Sequence, residues 1–243
     1  MLRTTICILS LLLLLQTGCR NSDVSGNPAP PADPASSIDA ANASSHSQDD
    51  SNSDQGTQQQ PSLELLAKEN LEHWQNAAFG GQGDLKIDGS QLDLEVGYPM
   101  TGAVYQGALP SDQYRLTFQA RRMIGSDFFA TVTFPVKESH CSLVTGGWGG
   151  ATVGLSNIDG LDASRNETKT FIGFDDEIWY QFEVEVKWPK IVCRVDNETV
   201  IDIDVEDREV AVRSDVANCK PFGFCTYETC GEIRDIQVTL LGN

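Results

Sequence analysis

Residues 125–168 read GSDFFATVTFPVKESHCSLVTGGWGGATVGLSNIDGLDASRNET, and the alternation of apolar pieces with glycine clusters and short acidic loops in this stretch decides the fold. Phe128, Ala130, Val132 and Phe134 fall on one side of an extended segment, and Phe129, Thr131 and Thr133 fall on the other, a period of two. One of these sides is expected to face a core. Gly146, Gly147, Gly149 and Gly150 frame Trp148. Glycine weakens a helix through its backbone entropy, but it lets the chain turn sharply or pass close to a large ring. A tryptophan framed in this way is either a platform for a sugar or a core residue at a tight corner.

Working outward, Leu85 and Ile87, a turn at Asp88 and Gly89, and then Leu92, Leu94 and Val96 predict a hairpin. Further strands are expected near 103–108, 114–120, 128–136, 141–145, 152–155, 170–174, 179–188, 191–195, 200–205, 223–227 and 233–241. Many short strands separated by turn residues, with no long amphipathic helix between them, predict an all-β fold: a two-sheet antiparallel jelly-roll sandwich. A parallel α/β fold would need helices between the strands. Before the sandwich, Leu63, Leu66 and Leu71 at helical spacing predict a short helix over 62–74.

The N-terminal region has a different character. Arg3 precedes an apolar stretch, Ile6 to Leu15, too short to span a bilayer but suited to a secretory signal, and Thr17 and Gly18 lead into Cys19. Residues 1–18 resemble a bacterial lipoprotein signal peptide, although Gln16 stands where leucine is usual. Cleavage before Cys19 would leave a lipid-modified cysteine anchoring the chain to a membrane of the cell envelope. Residues 19–61 are an acidic Ser/Asn/Asp/Pro-rich linker with almost nothing large and apolar to bury, and disorder is expected there. The sandwich domain is expected to occupy residues 62–243.

Seventeen basic against thirty-five acidic side chains give a net charge of −18. Such a surface repels nucleic acid phosphates and anionic headgroups and leaves neutral glycans and cations as compatible partners. Beyond Cys7 and Cys19, the chain carries Cys141, Cys193, Cys219, Cys225 and Cys230. The last three are close enough in sequence for one local bridge in an oxidising compartment. Their spacing does not suit a zinc site, and no cofactor is expected. Cys193, alternating with Ile191 and Val195, reads as a buried small hydrophobe.

Four segments carry a likeness: GSDFFATVTFPV (125–136), SHCSLVTGGWGGATVGLSNIDGLDAS (139–164), NET (166–168) and WYQFEVEVKWPKIVCRVDNETVID (179–202). They resemble a bacterial branch of the 3-keto-disaccharide hydrolase family, also described as family 16 glycoside hydrolase-like. PFGFCTYETCGEIRDIQVTLL (221–241) is similar to the closing strands of those domains. The resemblance implies a concanavalin A-like jelly roll, export, and an activity on glycosides, including sugars oxidised at C3. It transfers no catalytic set.

Glycoside hydrolysis by protein acid and base needs two carboxyl groups across the scissile bond, about 5–5.5 Å apart in retaining enzymes and about 6.5–9.5 Å in inverting ones. Asp202, Asp204 and Glu206 alternate along one segment, and Glu183, Glu185 and Lys187 along another, but ordinary solvent-facing strands carry the same pattern. The preferred catalytic candidates are Asp159, Asp162 and Glu167, which form an acidic loop inside the family-like block. Trp148, Asn157, Asn166, Asp127 and His140 are the candidate substrate-binding residues, and Glu138 is a further neighbour. Carboxylates and amides hydrogen-bond sugar hydroxyls, act as acid or base, or ligate Ca²⁺, and they also satisfy their own loop through Asx turns. Three classes stay open: a glycoside hydrolase, a non-catalytic glycan-binding module on a tether, and an adhesion domain.

Overall fold

The computed structural model of the protein describes residues 60–242. The proposed signal peptide, Cys19 and nearly all of the linker lie outside these residues. Among the described residues no helix is long and apolar enough to cross a membrane.

Fifteen strands account for the regular structure: β1 Ser62–Glu64, β2 Trp74–Asn76, β3 Leu85–Ile87, β4 Gln91–Leu94, β5 Met100–Tyr105, β6 Gln113–Ile124, β7 Thr131–Val136, β8 Ser139–Gly146, β9 Thr152–Ser156, β10 Thr170–Phe171, β11 Tyr180–Lys187, β12 Lys190–Val195, β13 Glu198–Asp204, β14 Phe222–Tyr227 and β15 Cys230–Leu240. They form two antiparallel sheets. The larger has the order β13-β12-β11-β6-β15-β4-β3, with β1 also on β15, and the smaller has the order β10-β9-β8-β7-β14-β5-β2. The two-sheet β-sandwich expected from the sequence is what the chain forms.

The period of two places the core. Leu116 and Phe118 of β6 and Phe182 and Val184 of β11 point from the larger sheet towards Val132 and Phe134 of β7 and Phe222 and Phe224 of β14, all buried in one apolar cluster. Phe118 ties the layers together: its ring stacks on Phe182 at 5.1 Å and meets Phe224 edge-on at 4.9 Å across the interior. Buried aromatic pairs of this kind add to simple area burial. The Tyr114 hydroxyl donates to the Pro135 carbonyl at 2.7 Å, a second tie between the sheets.

Two local expectations change. The predicted helix over 62–74 is instead β1, a 3-10 turn at Lys68–His73, and β2. The pairing of β1 with β15 and of β2 with β5 outweighs helical spacing in so short a segment. At Phe128 and Phe129 the alternation breaks, because β7 begins only at Thr131. Phe129 is fully buried in the core, whereas Phe128 packs on the far side of the smaller sheet.

The outer faces of the sheets differ in kind. On the larger sheet, Arg115 pairs with Glu185 at 2.8 Å, Arg194 with Glu183, and Arg121 with Glu232 at 2.6 Å, while Trp179 lies under the guanidinium groups of Arg121 and Arg234. This is a solvated charge ladder. On the smaller sheet the outward positions are small: Cys225 of β14, Thr131 and Thr133 of β7, Ser142 of β8, and Ser156 of β9. All five are buried, so something covers them.

Phe118→Ala should remove about 3–5 kcal/mol of unfolding free energy, since it opens a cavity between both sheets. Urea denaturation followed by tryptophan fluorescence measures this, and a loss under about 1 kcal/mol would contradict the inter-sheet role assigned to the ring.

Candidate functional site

Residues 205–221 are the cover. After β13 this segment crosses the outer face of the smaller sheet as a strap and ends in a 3-10 turn, Ser214–Cys219, before β14. It is tied at two places. At the first, Asn157 and Ala211 exchange backbone hydrogen bonds at 2.5 and 3.1 Å, and the Asp159 amide donates to the Glu209 carbonyl at 2.8 Å. Asp159 accepts from the Glu209 amide at 2.8 Å and from Arg208 Nε at 2.6 Å, and Glu167 pairs with the same guanidinium. At the second, Val216 and Cys219 join Ala77, Met100 and Cys225 in a small apolar cluster on the outer face. All five cysteines of the described residues are unbridged thiols, so the local bridge expected among Cys219, Cys225 and Cys230 does not form; Cys219 and Cys225 share this cluster, and the Cys219 thiol donates to the Phe224 carbonyl at 3.7 Å.

Between the two ties the strap stands off the sheet and leaves a hollow of about 310 Å³. Its floor carries Thr131, Ser142, Ser156 and Val144; Phe128 and Tyr227, with ring centroids 5.7 Å apart, make one wall; Arg213, Asp215 and Val216 of the strap make the other. Thr131 is 1% exposed and its hydroxyl has no hydrogen-bond partner, although a buried polar group normally has one. The Thr133 hydroxyl pairs with that of Ser142 at 2.9 Å, so the floor is a patch of small hydroxyls.

The glycine-framed corner forms the mouth. Gly146, Trp148, Gly149 and Gly150 have φ of 81°, 49°, 92° and 101°, a left-handed turn that glycine adopts freely. For Trp148 it costs on the order of 1–2 kcal/mol. That strain holds a large ring 45% exposed at the rim of the hollow. The Arg213 guanidinium lies 5.5 Å from the ring centroid, and the same group grips Asp215 through Nε at 3.1 Å and Nη2 at 2.8 Å. Asp127, also on the hollow, accepts from the Phe128 amide at 2.8 Å and from the Gly149 amide at 3.2 Å, which pins the corner.

The residues singled out from the sequence separate accordingly. Trp148 and Asp127 line the hollow; Asp159, Asp162, Glu167, Asn157, Asn166 and His140 do not. Asp159 and Glu167 share Arg208. Asp162 is nearly buried, accepting from the Ser164 amide and hydroxyl at 3.0 and 2.6 Å and pairing with Arg165. Asn166, also nearly buried, donates to the carbonyls of Leu155, Leu161 and Asp162 and accepts from Thr168. Asn157 carries the strap's backbone bonds. His140 shares the outer face with Ser142, two residues along β8, and its pKa is lowered by burial and then by Lys220. Glu138 is exposed at the β7–β8 turn. Glu183 and Glu185 sit in the charge ladder, and Asp202 pairs with Lys190 at 3.1 Å. As for calcium, the cation that Asp159 and Glu167 gather around is a guanidinium, and no group of three His, Cys, Asp or Glu converges among the described residues.

The strap residues Arg213, Asp215 and Val216 and the floor hydroxyls Thr131, Ser142 and Ser156 escaped the sequence reading. A signal for the floor was present: β7 to β9 place Thr and Ser outward where β11 places Glu and Lys.

No family model matches the sequence, and no curated protein matches it either. Solved structures do resemble the fold. A Crh5 transglycosylase in complex with NAG superposes with a TM-score of 0.51 at 8% identity, covering 76% of this chain and 85% of that one. The apo form gives 0.50 at 7% identity with the same coverage. A carbohydrate-binding module from Bacillus subtilis gives 0.43 at 11%, covering 69% and 95%. At these identities the likeness is one of fold.

Arg208 lowers the pKa of both its partners. For Asp159 the leading cause is the Glu209 amide and then Arg208; for Glu167 it is Arg208. Carboxylates with a lower pKa when folded contribute stability that is present above their ordinary values of 3.8 and 4.5 and lost as pH falls through the depressed values. Acidification should therefore free the strap before the core, with the protection factors of the Glu209 and Ala211 amides, corrected for the intrinsic pH dependence of exchange, falling first. Arg208→Met should speed those amides about tenfold at neutral pH with the sandwich intact. Unchanged exchange would show that the backbone bonds hold the strap alone.

Proposed function

We propose that this protein is a carbohydrate-recognition domain whose ligand site is the hollow under the strap, carried on an exported chain anchored through Cys19. The single observation behind this reading is the combination within one hollow: a rim tryptophan held exposed in a strained conformation, above a floor of hydroxyls that includes the orphaned Thr131 Oγ1. A sugar ring presents an apolar face of C–H groups and an edge of hydroxyls. The first suits an indole face, and the second suits Thr131, Ser142, Ser156 and the carboxylates Asp127 and Asp215. Pockets of a few hundred Å³ with convergent polar groups are the usual size for small ligands. The superposing transglycosylase, whose structure holds NAG, lends support at the level of fold, as does the resemblance of residues 125–168 to glycoside-acting proteins.

Binding without turnover fits the carboxylates best. Asp127 Oδ1 and Oδ2 each accept a backbone N–H, and both oxygens of Asp215 are gripped by Arg213. These are settings for hydrogen-bond acceptors. The second reading is hydrolysis, including that of 3-keto-disaccharides, and it is favoured by one observation: two carboxylates from different segments reach the same hollow. On this reading Asp159 and Glu167 shape the site by holding the strap through Arg208, Asp162 orders its own loop through Ser164 and Arg165, and none of the three touches the sugar.

Trp148→Ala should weaken binding of a neutral sugar by about tenfold or more while leaving the thermal midpoint nearly unchanged, because the ring is half exposed and alanine keeps the same left-handed backbone; Trp148→Gly, which relieves that backbone, should lose the same affinity with a midpoint unchanged or raised. Calorimetric titration with glucose, N-acetylglucosamine and galactose measures this. If glycosides, with and without a C3 ketone, are turned over and Asp127→Asn or Asp215→Asn abolishes the turnover, the hydrolase reading replaces the binding one.

A further inference from the structure

Seven large apolar side chains stand exposed among the described residues: Tyr98, Ile124, Trp148, Leu161, Phe171, Ile178 and Leu240. Their distribution follows the topology. Tyr98 precedes β5, Ile124 ends β6, Trp148 follows β8, Phe171 ends β10 and Ile178 precedes β11. In antiparallel sheets these are strand ends of one pole, the pole where β7, β9 and β15 begin and β14 ends. Five of the seven are therefore gathered at the end of the sandwich onto which the hollow opens. Scattered exposed apolar residues need no explanation, but a concentration at one end does.

These residues connect with the mouth. Phe171 lies opposite Thr152, which bridges to Gly147 beside Trp148, so two strand spacings, about 10 Å, separate Phe171 from the corner. It is on the same outer face as the hollow's floor and is 69% exposed, with the Lys169 ammonium 4.9 Å from its ring. On the other flank, Tyr98 is 80% exposed beside the end of β14, where the Glu228 amide donates to the Pro99 carbonyl. The first described strand, β1, pairs with the last residues of β15 at the opposite pole.

We infer that this pole is an interaction surface for a neutral polysaccharide chain, with one sugar unit in the hollow and the units beyond it on Phe171 to one side and Tyr98 to the other. The inference rests on the sugar reading of the hollow and extends it from a ring to a chain. Aromatic faces on both flanks of a sugar-sized opening suit a run of rings better than they suit a single one. The charge of the pole selects the type of chain: Asp175, Asp176, Glu177 and Glu228 are exposed there, and Arg122 at its edge is paired with Asp176 at 2.6 Å. A polyanionic glycan would be repelled.

The test is calorimetric titration of the full chain with glucose, N-acetylglucosamine and galactose, with neutral hexasaccharides built from each, and with hexagalacturonate. At least one neutral hexasaccharide should bind about tenfold or more tighter than its own monosaccharide, and hexagalacturonate should bind weakly or not at all. The Tyr98→Ala/Phe171→Ala chain should lose most of that preference while keeping its monosaccharide Kd within about twofold, a split that unfolding would not give. Equal affinity for ring and chain, a length preference that survives the double substitution, or preferential binding of hexagalacturonate would each overturn the inference and leave the hollow's sugar reading in place. Absence of binding to every sugar would overturn both.

Discussion

The site depends on how residues 205–221 are held down across the outer face of the smaller sheet. A sandwich needs only the inner face of each sheet for its core, and the outer face of the larger sheet here is given to solvent through paired charges. The outer face of the smaller sheet is built from Thr, Ser, Val and Cys instead, and such a face needs a cover. Arg208, with Asp159 and Glu167, fixes the strap at one side, and the cluster around Val216, Cys219 and Cys225 fixes it at the other. The span between them is left standing clear of the floor.

From this geometry the chemistry follows without a metal or a cofactor being invoked. The floor hydroxyls are small because a strap must pass above them, and their smallness also gives the hollow its depth. The strap brings Arg213 to Trp148 and Asp215 to Arg213, so the rim ring, the guanidinium and the carboxylate form one connected edge. Asp127 closes the loop by fastening the glycine corner from beneath. Disturbing either tie of the strap should change the site without unmaking the sandwich.

The sandwich was legible in the sequence because its signal is local: alternation in β6, β11, β12 and β15, and turn residues between them, survive without knowledge of what lies opposite. The glycine corner was legible for the same reason, and Trp148 was singled out through it, whereas Asp127 was singled out only as a carboxylate flanking a strand. The partners of the acidic loop were legible only in part. Asp159, Asp162 and Glu167 look like ligand groups when counted along the chain, but their partners are Arg208, Ser164 and Arg165, and only Ser164 and Arg165 are sequence neighbours. Arg208 lies 49 residues from Asp159, and Arg213 reaches Trp148 from a segment with no motif of its own. Such pairings are set by tertiary packing, which periodicity does not encode. The outward Thr and Ser of β7 to β9 were readable as a covered face, but what covers them was not.

The most direct test is NMR of the isotope-labelled chain during titration with neutral hexasaccharides of glucose, N-acetylglucosamine and galactose. The largest shifts should fall on the Trp148 indole, Arg213 Nε and the amides of Thr131, Ser142 and Ser156. Shifts confined to the loop around Asp162 or to the charge ladder around Trp179, with the strap and floor unmoved, would contradict the sugar reading of the hollow.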